Sequence, residues 1–517
     1  LLFNSHIFIF VFMPAALLAY YLLGRINYRA AELSLVVSSL IFYAWWNPPF
    51  VLILMSSIAF NYSISHWITR NEGFEGRQSA ILVLGVTANL AVLIYYKYLF
   101  ALMGFLDSIG VASLKLDPIL LPLGISFYTF TQIGYLIDCR QGMAKERGLL
   151  DYCLFVTFFP HLIAGPILHH REIMPQFAES ETYRFNRRNM AVGLTIFIIG
   201  LAKKVLIADS LSQVSAAGFD VPGTLGLIPA WLTALSFSLQ IYFDFSGYSD
   251  MAIGLAYMFN VRFPLNFNSP YKARSIIDFW QRWHMTLTRY LTLYLYNPMA
   301  LWVTRRRIAR GAPILARDNK TMGGFFNMIA IPTFITIVLA GVWHGAGLTF
   351  LIFGLLHGLY LIVNHAWRTF APPHMRQDPK NPLALGATVV GQVLLTYLAV
   401  LVAQVFFRAQ TVDDATALLA GMAGLHAGGA FSGWAYNFGS ESQTILRIAA
   451  FFGMAWFLPN TQQVMAKFPA ALGQIAANRY RLLEWMPDLK WAVSMGLAAG
   501  LAIASLSQHS EFLYFQF

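Results

Sequence analysis

In the stretch GVWHGAG, residues 341–347, a histidine stands between glycines with long apolar runs on either side. Ionisable groups at membrane depth are costly to keep and usually mark a pathway or a site. An imidazole titrates in the range suited to proton transfer near neutral pH, so His344 is a candidate general base. Gly341, Gly345 and Gly347 lack the side chains that would screen the ring, which leaves room for a reactant to approach. A hydrogen-bonded histidine joining two helices is the competing reading of the same residues.

His284 shares a helical stripe with Trp280, Leu287 and Leu291 and so faces packed protein. Alone it reads as structural. Paired with His344 it becomes a second catalytic candidate, orienting the first ring or contacting an acyl donor. FDFSGYSDMAIGLA (243–256) places Asp244 and Asp250 inside an apolar run, six positions apart and therefore on different helix faces. Buried carboxylates are usually paired, so structural partnership with bundle arginines is the expectation. His161, His169 and His170 flank the turn FPHLIAGPI without metal-ligand spacing, and His357 and His365 lie two turns apart on one helix. All five are expected to be structural, with no metal site. Cys139 and Cys153 indicate neither a disulfide framework nor a zinc site.

The tail EFLYFQF carries Tyr514. Aromatic residues at a membrane boundary commonly form an anchoring belt. Yet a phenol, with a pKa of about 10, can be acylated once a base removes its proton. Its aryl ester stays reactive because phenolate leaves more readily than an alkoxide. Such a residue could pass an acyl group outward.

These residues need a scaffold, and the composition states which. Of 517 residues, 57% are hydrophobic and only 11% charged, against about 25% charged in soluble domains. Apolar runs cover nearly the whole length, and a helix needs ~20 such residues to cross the hydrocarbon layer. The chain is expected to be an all-α polytopic bundle spanning 1–517, with no sizeable soluble domain. The formal charge of +11 comes from short basic loops beside apolar runs, the pattern of the positive-inside rule rather than of nucleic-acid binding. Apolar runs fall near 1–23, 31–46, 50–67, 79–107, 120–137, 151–168, 190–208, 228–258, 325–343, 349–366, 383–407, 445–459 and 488–507. The first reads as a retained helix, lacking a basic leader and a cleavage site. Basic loops flank 151–168 on both sides, so that segment is expected to be a re-entrant hairpin bent at FPHLIAGPI. The other twelve alternate, which puts both termini outside. The stretch SIIDFWQRWHMTLTRYLTLYLY (275–296) is expected to be one amphipathic helix near the cytoplasmic side.

The block from FDFSGYSDMAIGLA through SIIDFWQRWHMTLTRYLTLYLYNP, followed by GVWHGAG, resembles the membrane-bound O-acyltransferase family, in its bacterial alginate O-acetylation branch. The opening LLFNSHIFIFVFMP, FFPHLIAGPI, FFRA (406–409), LPNTQQ (458–463) and FLYFQF are similar to that branch too, and together cover nearly the whole chain. The resemblance implies core motifs at 120–370 and a C-terminal helical extension at 383–517. It also implies an inner-membrane acetyltransferase drawing on cytoplasmic acetyl-CoA, with His344 catalytic and His284 its companion. The terminal motif is similar to one on a small membrane peptide of D-alanylation systems, which makes Tyr514 an internal carrier and a periplasmic SGNH-type transferase the onward partner to an exported polysaccharide. Peptidoglycan or cellulose acetylation would fit the same chemistry. A polytopic transporter is the alternative from another class, since it would also keep buried histidines at a broken helix.

Overall fold

The computed structural model describes residues 1–111, 119–144, 148–315, 320–426, 441–473, 475, 478, 480–506 and 513. Among them the chain is helical, and β pairing is confined to an isolated bridge between Pro264 and Leu472. Away from water a helix satisfies its backbone polar groups within one segment. Each of the twelve runs expected to span is covered by a helix. Phe50–Arg70, Glu75–Gly104, Arg187–Asp220, Met322–His344, Leu348–Phe370 and Pro382–Arg408 are long and apolar enough to cross a membrane, while Phe8–Gly24 and Leu489–Ala504 are shorter apolar helices. The molecule is an all-α, multi-pass membrane protein. One boundary moves: the apolar run expected to end near 208 continues as helix to Asp220.

The segment expected to re-enter is broken as its prolines and glycine demand. Helix Leu149–Thr157 ends at Phe158, a single turn Phe159–Leu162 follows, and the chain then bends at Gly165 with φ of 113°. That φ is one which residues with a Cβ avoid. Residues 154–168 are all buried, so protein rather than lipid surrounds the irregular backbone.

The stretch 275–296 departs from expectation. It is two short helices, Ile276–Trp280 and Met285–Leu291, with a π-helical turn Thr292–Tyr296 leading into Asn297–Ala309. The break falls at His284, whose φ of 44° and ψ of 52° are left-handed. Polar groups from the preceding loop capture the chain there: Asn268 N–H donates to the Arg282 carbonyl, and Met285 N–H donates to the Asn266 carbonyl. Such capture competes with helix continuation. Asp278 and Arg282 pair at 2.7 Å, whereas the Arg274 guanidinium turns to Asp378 and Gln392.

The chain resolves into two compact units, one comprising 1–206, 244–265 and 461–516, the other 207–243 and 266–460. In the first, helix Arg187–Ala202 meets the later part of helix Leu227–Met258 at two glycine pairs. A Cβ on Gly193 would stand 2.5 Å from the Gly254 carbonyl oxygen, and one on Gly200 would stand 2.5 Å from that of Gly247. Members of each helix's pair are seven residues apart, hence on one face. Small residues let membrane helices approach this closely. In the second unit, Met322–His344 and Leu348–Phe370 pack against each other across residues 345–347.

Candidate functional site

His344 is the last residue of its helix, followed by Gly345 in an extended conformation. The ring is buried, with Phe407 edge-on at 5.3 Å and Phe353 at 6.1 Å between centroids. Phe407 belongs to the FFRA motif, so the helix Pro382–Arg408 supplies one wall. Trp343 stands at 5.0 Å from the His344 ring and 6.5 Å from the His284 ring. The two histidines singled out by sequence therefore flank one indole.

His284 is fully buried, and its Nδ1 lies 3.0 Å from Asn266 Oδ1. The same oxygen accepts from Thr286 Oγ1–H at 2.8 Å and from the Thr286 backbone N–H. A backbone amide can only donate, so this atom is the amide oxygen, and Nδ1 is the protonated nitrogen of His284. Nε2 is left as the ring's basic nitrogen. The arrangement fixes a tautomer, as a histidine's second hydrogen bond does at many functional sites. Asn266 was not identified by sequence reasoning. It precedes His284 by eighteen residues in a non-helical segment, where no periodicity points to it, although it stands inside the family-like block.

Gly341 and Gly345 act differently from expectation, whereas a Cβ on Gly347 would meet nothing closer than 3.6 Å. A Cβ on Gly341 would lie 2.6 Å from the Phe350 carbonyl oxygen and 2.7 Å from Gly354 Cα, and one on Gly345 would lie 2.2 Å from the Phe350 ring. Their missing side chains are filled by the facing helix rather than left as space for a reactant. His357 is buried and accepts from Trp280 Nε1–H at 3.3 Å, a structural use. His161 bonds the Phe155 carbonyl at 3.0 Å within the re-entrant turn.

Asp244 and Asp250 are both paired, but with lysines rather than the expected arginines. Lys204 meets Asp244 at 2.6 Å and Lys203 meets Asp250 at 2.6 Å. The two lysines are adjacent at the start of a π-helical turn, Lys203–Ala208. Asp250 also accepts from Thr461 Oγ1–H at 2.6 Å and from Gln462 Nε2–H at 3.3 Å. Asp244 accepts the Leu513 backbone N–H at 3.2 Å. Tyr514 itself lies outside the described residues.

Folding also gathers three groups that sequence spacing kept apart. Asp138 Oδ2 is 2.9 Å from His169 Nε2 and 3.1 Å from His170 Nε2. Asp138, His169 and His170 offer ligand atoms all within 4.8 Å of one another, the one such group among the described residues. His169 Nδ1 accepts the Arg171 N–H as a helix N-cap, so its Nε2 carries the proton facing Asp138. Burial, with His169 and Arg171 adding to it, lowers the His170 pKa to about 4 despite Asp138. Two neutral rings donating to one carboxylate form a hydrogen-bonded knot beneath the re-entrant turn.

Comparison with known proteins adds the chemistry. The model of MBOAT, the membrane-bound O-acyltransferase family, matches residues 33–310. The chain is 40% identical over 453 residues to a peptidoglycan O-acetyltransferase of Helicobacter pylori, covering 82% of this chain and 80% of that one. It is 34% identical to a probable alginate O-acetylase of Pseudomonas aeruginosa over the whole of both chains. It is 28% identical to a teichoic acid D-alanyltransferase of Bacillus subtilis over 46% of this chain and 58% of that one.

Proposed function

Because this chain belongs to the membrane-bound O-acyltransferase family and is an O-acyltransferase, we propose that it moves an acetyl group from acetyl-CoA toward an exported polysaccharide. The donor is cytoplasmic, the membrane is the bacterial inner membrane, and the whole chain works as a single membrane domain. The transporter alternative falls with the family match. Full-length similarity to alginate O-acetylases supports an alginate-like acceptor. The 40% identity to a peptidoglycan O-acetyltransferase favours a second reading, with peptidoglycan as acceptor and the same chemistry.

The observation that carries the reading is the pair His344 and His284 flanking Trp343, with Asn266 holding one tautomer. In the proposed reaction the Tyr514 phenolic oxygen attacks the thioester carbonyl while His344 accepts its proton. Positioned acid–base chemistry of this kind contributes ~10²- to 10⁴-fold. The tetrahedral intermediate collapses, its C–S bond breaks, and the coenzyme A thiolate takes the proton back from the imidazolium. An aryl acetate remains on Tyr514. The Nδ1–H of His284 is engaged by Asn266, so its Nε2 accepts protons rather than donating one to an oxyanion. That supports a role as proton-accepting companion to His344. A periplasmic SGNH-type transferase then takes the acetyl group from the phenol ester to a sugar hydroxyl.

The test is direct. His344→Ala is expected to abolish polymer acetylation in cells while the protein stays inserted and melts as the wild type does; persisting acetylation refutes the assignment. The acceptor is read by comparing acetate ester in alginate-like polymer and in peptidoglycan from cells with and without the gene.

A further inference from the structure

A lysine and an aspartate buried at 3% exposure each are expensive in a membrane bundle. Replacing such a pair with well-packed apolar residues is commonly neutral or stabilising, so stability gives no reason to keep it. Its geometry does. The Lys204 ammonium fixes the charge and orientation of the Asp244 carboxylate, and Oδ2 of that carboxylate accepts the backbone N–H of Leu513. Leu513 is 6% exposed, so this contact is an interior one. The neighbouring carboxylate repeats the pattern, since Asp250 is held by Lys203 and bonds Thr461 and Gln462 of the LPNTQQ motif. Two consecutive lysines thus orient two carboxylates, one holding the LPNTQQ motif and the other the backbone N–H of Leu513. The close glycine crossings at Gly193–Gly254 and Gly200–Gly247 bring the two helices near enough for this.

We propose that Asp244, oriented by Lys204, is the positioning residue that docks the C-terminal segment and presents Tyr514 for acylation. The contact is to backbone at residue 513, one peptide unit, or ~3.8 Å between Cα atoms, before the phenol-bearing residue. The inference rests on the reading of Tyr514 as acyl carrier. Asp244 takes no part in bond making and acts only through the tail.

The test uses full-length protein in nanodiscs with acetyl-CoA. Because an unpaired Lys204 could unfold the bundle, the variant is Asp244→Leu with Lys204→Met; Asp244→Asn with Lys204→Gln restores an uncharged acceptor. Three readouts are followed: hydrogen exchange at the Leu513 amide, acetyl adduct on Tyr514 by mass spectrometry, and coenzyme A release with N-acetyltyrosinamide added as a diffusible phenol. The apolar double variant is expected to lose amide protection and at least tenfold of the adduct, with release driven by the diffusible phenol within twofold of wild type. The uncharged-acceptor variant is expected to recover part of the adduct. Unchanged adduct in the apolar variant overturns the positioning role, and unchanged amide protection overturns the docking. Absence of adduct in wild type rejects the carrier instead, a separate failure, and leaves amide exchange to decide the docking.

Discussion

Asn266→Ala tests how much of the site depends on one amide oxygen. The substitution removes the acceptor shared by His284 Nδ1–H and Thr286 Oγ1–H, in a place where both His284 and Asn266 are fully buried. A buried donor left without a partner costs roughly 1–3 kcal/mol. His284 can escape that cost by moving its proton to Nε2, and in doing so it gives up its basic nitrogen. At about 1.4 kcal/mol per decade, losing a preference of that size lowers the competent fraction by roughly 5- to 150-fold. The expected result is a fall in kcat of that order with KM for acetyl-CoA nearly unmoved, measured as thiol release by protein in nanodiscs. Asn266→Asp keeps the acceptor and adds a negative charge that favours imidazolium, so its rate profile should shift toward higher pH. A folded Asn266→Ala protein with kcat within twofold of wild type would refute the reasoning, because the tautomer would then be irrelevant to turnover.

Gly254→Ala should destabilise, since its Cβ would stand 2.5 Å from the Gly193 carbonyl oxygen and 2.6 Å from the Phe197 amide nitrogen. Overpacking of this kind costs about 1–3 kcal/mol, visible as a lower midpoint in thermal unfolding in detergent. The knot around Asp138 predicts acid sensitivity. His170 has its pKa lowered from 6.5 to about 4, so its contribution is fully present above 6.5 and is lost as pH falls toward 4. His170→Gln should flatten that decline between pH 6.5 and 4, by about 3 kcal/mol at the acid end, while a variant as acid-labile as wild type would remove His170 as the cause. At the exposed Arg274–Asp378 pair the guanidinium holds the carboxyl below its ordinary range. The contact should therefore persist above that range and open only in stronger acid, which carbon-13 titration of the Asp378 carboxyl would follow.

Apolar runs announced the helices, and their ends told where the chain must turn, because hydrocarbon tolerates little else. His344 and His284 stood out in the sequence as ionisable rings among glycines and tryptophans, and the structure sets both beside Trp343. Asn266 was not, since an asparagine in a loop carries no periodicity and its partner comes eighteen residues later. The split of 275–296 into two helices was hidden for the same reason: the apolar stripe continues in sequence through a break that tertiary hydrogen bonds impose. Lys203 and Lys204 passed as the end of an apolar run, though two adjacent cations there, with two carboxylates, Asp244 and Asp250, in the next run, were a signal. Asp138 and the two histidines stand thirty-one and thirty-two residues apart, beyond any ligand-spacing rule. Gly341 and Gly345 misled because a glycine that admits a ligand and a glycine that admits a neighbouring helix look alike in one dimension.

Among the described residues, the non-glycine positions with left-handed backbone are Asn260, Ser269 and His284. Asparagine and histidine enter that region more readily than most residues and serine less so, and a residue held there costs of order 1–3 kcal/mol. Ser269 follows Asn266 by three residues, and His284 is the residue that Asn266 holds. The protein consequently stores backbone strain at a buried histidine, and glycine at position 284 would release it only by giving up the ring and its bond to Asn266.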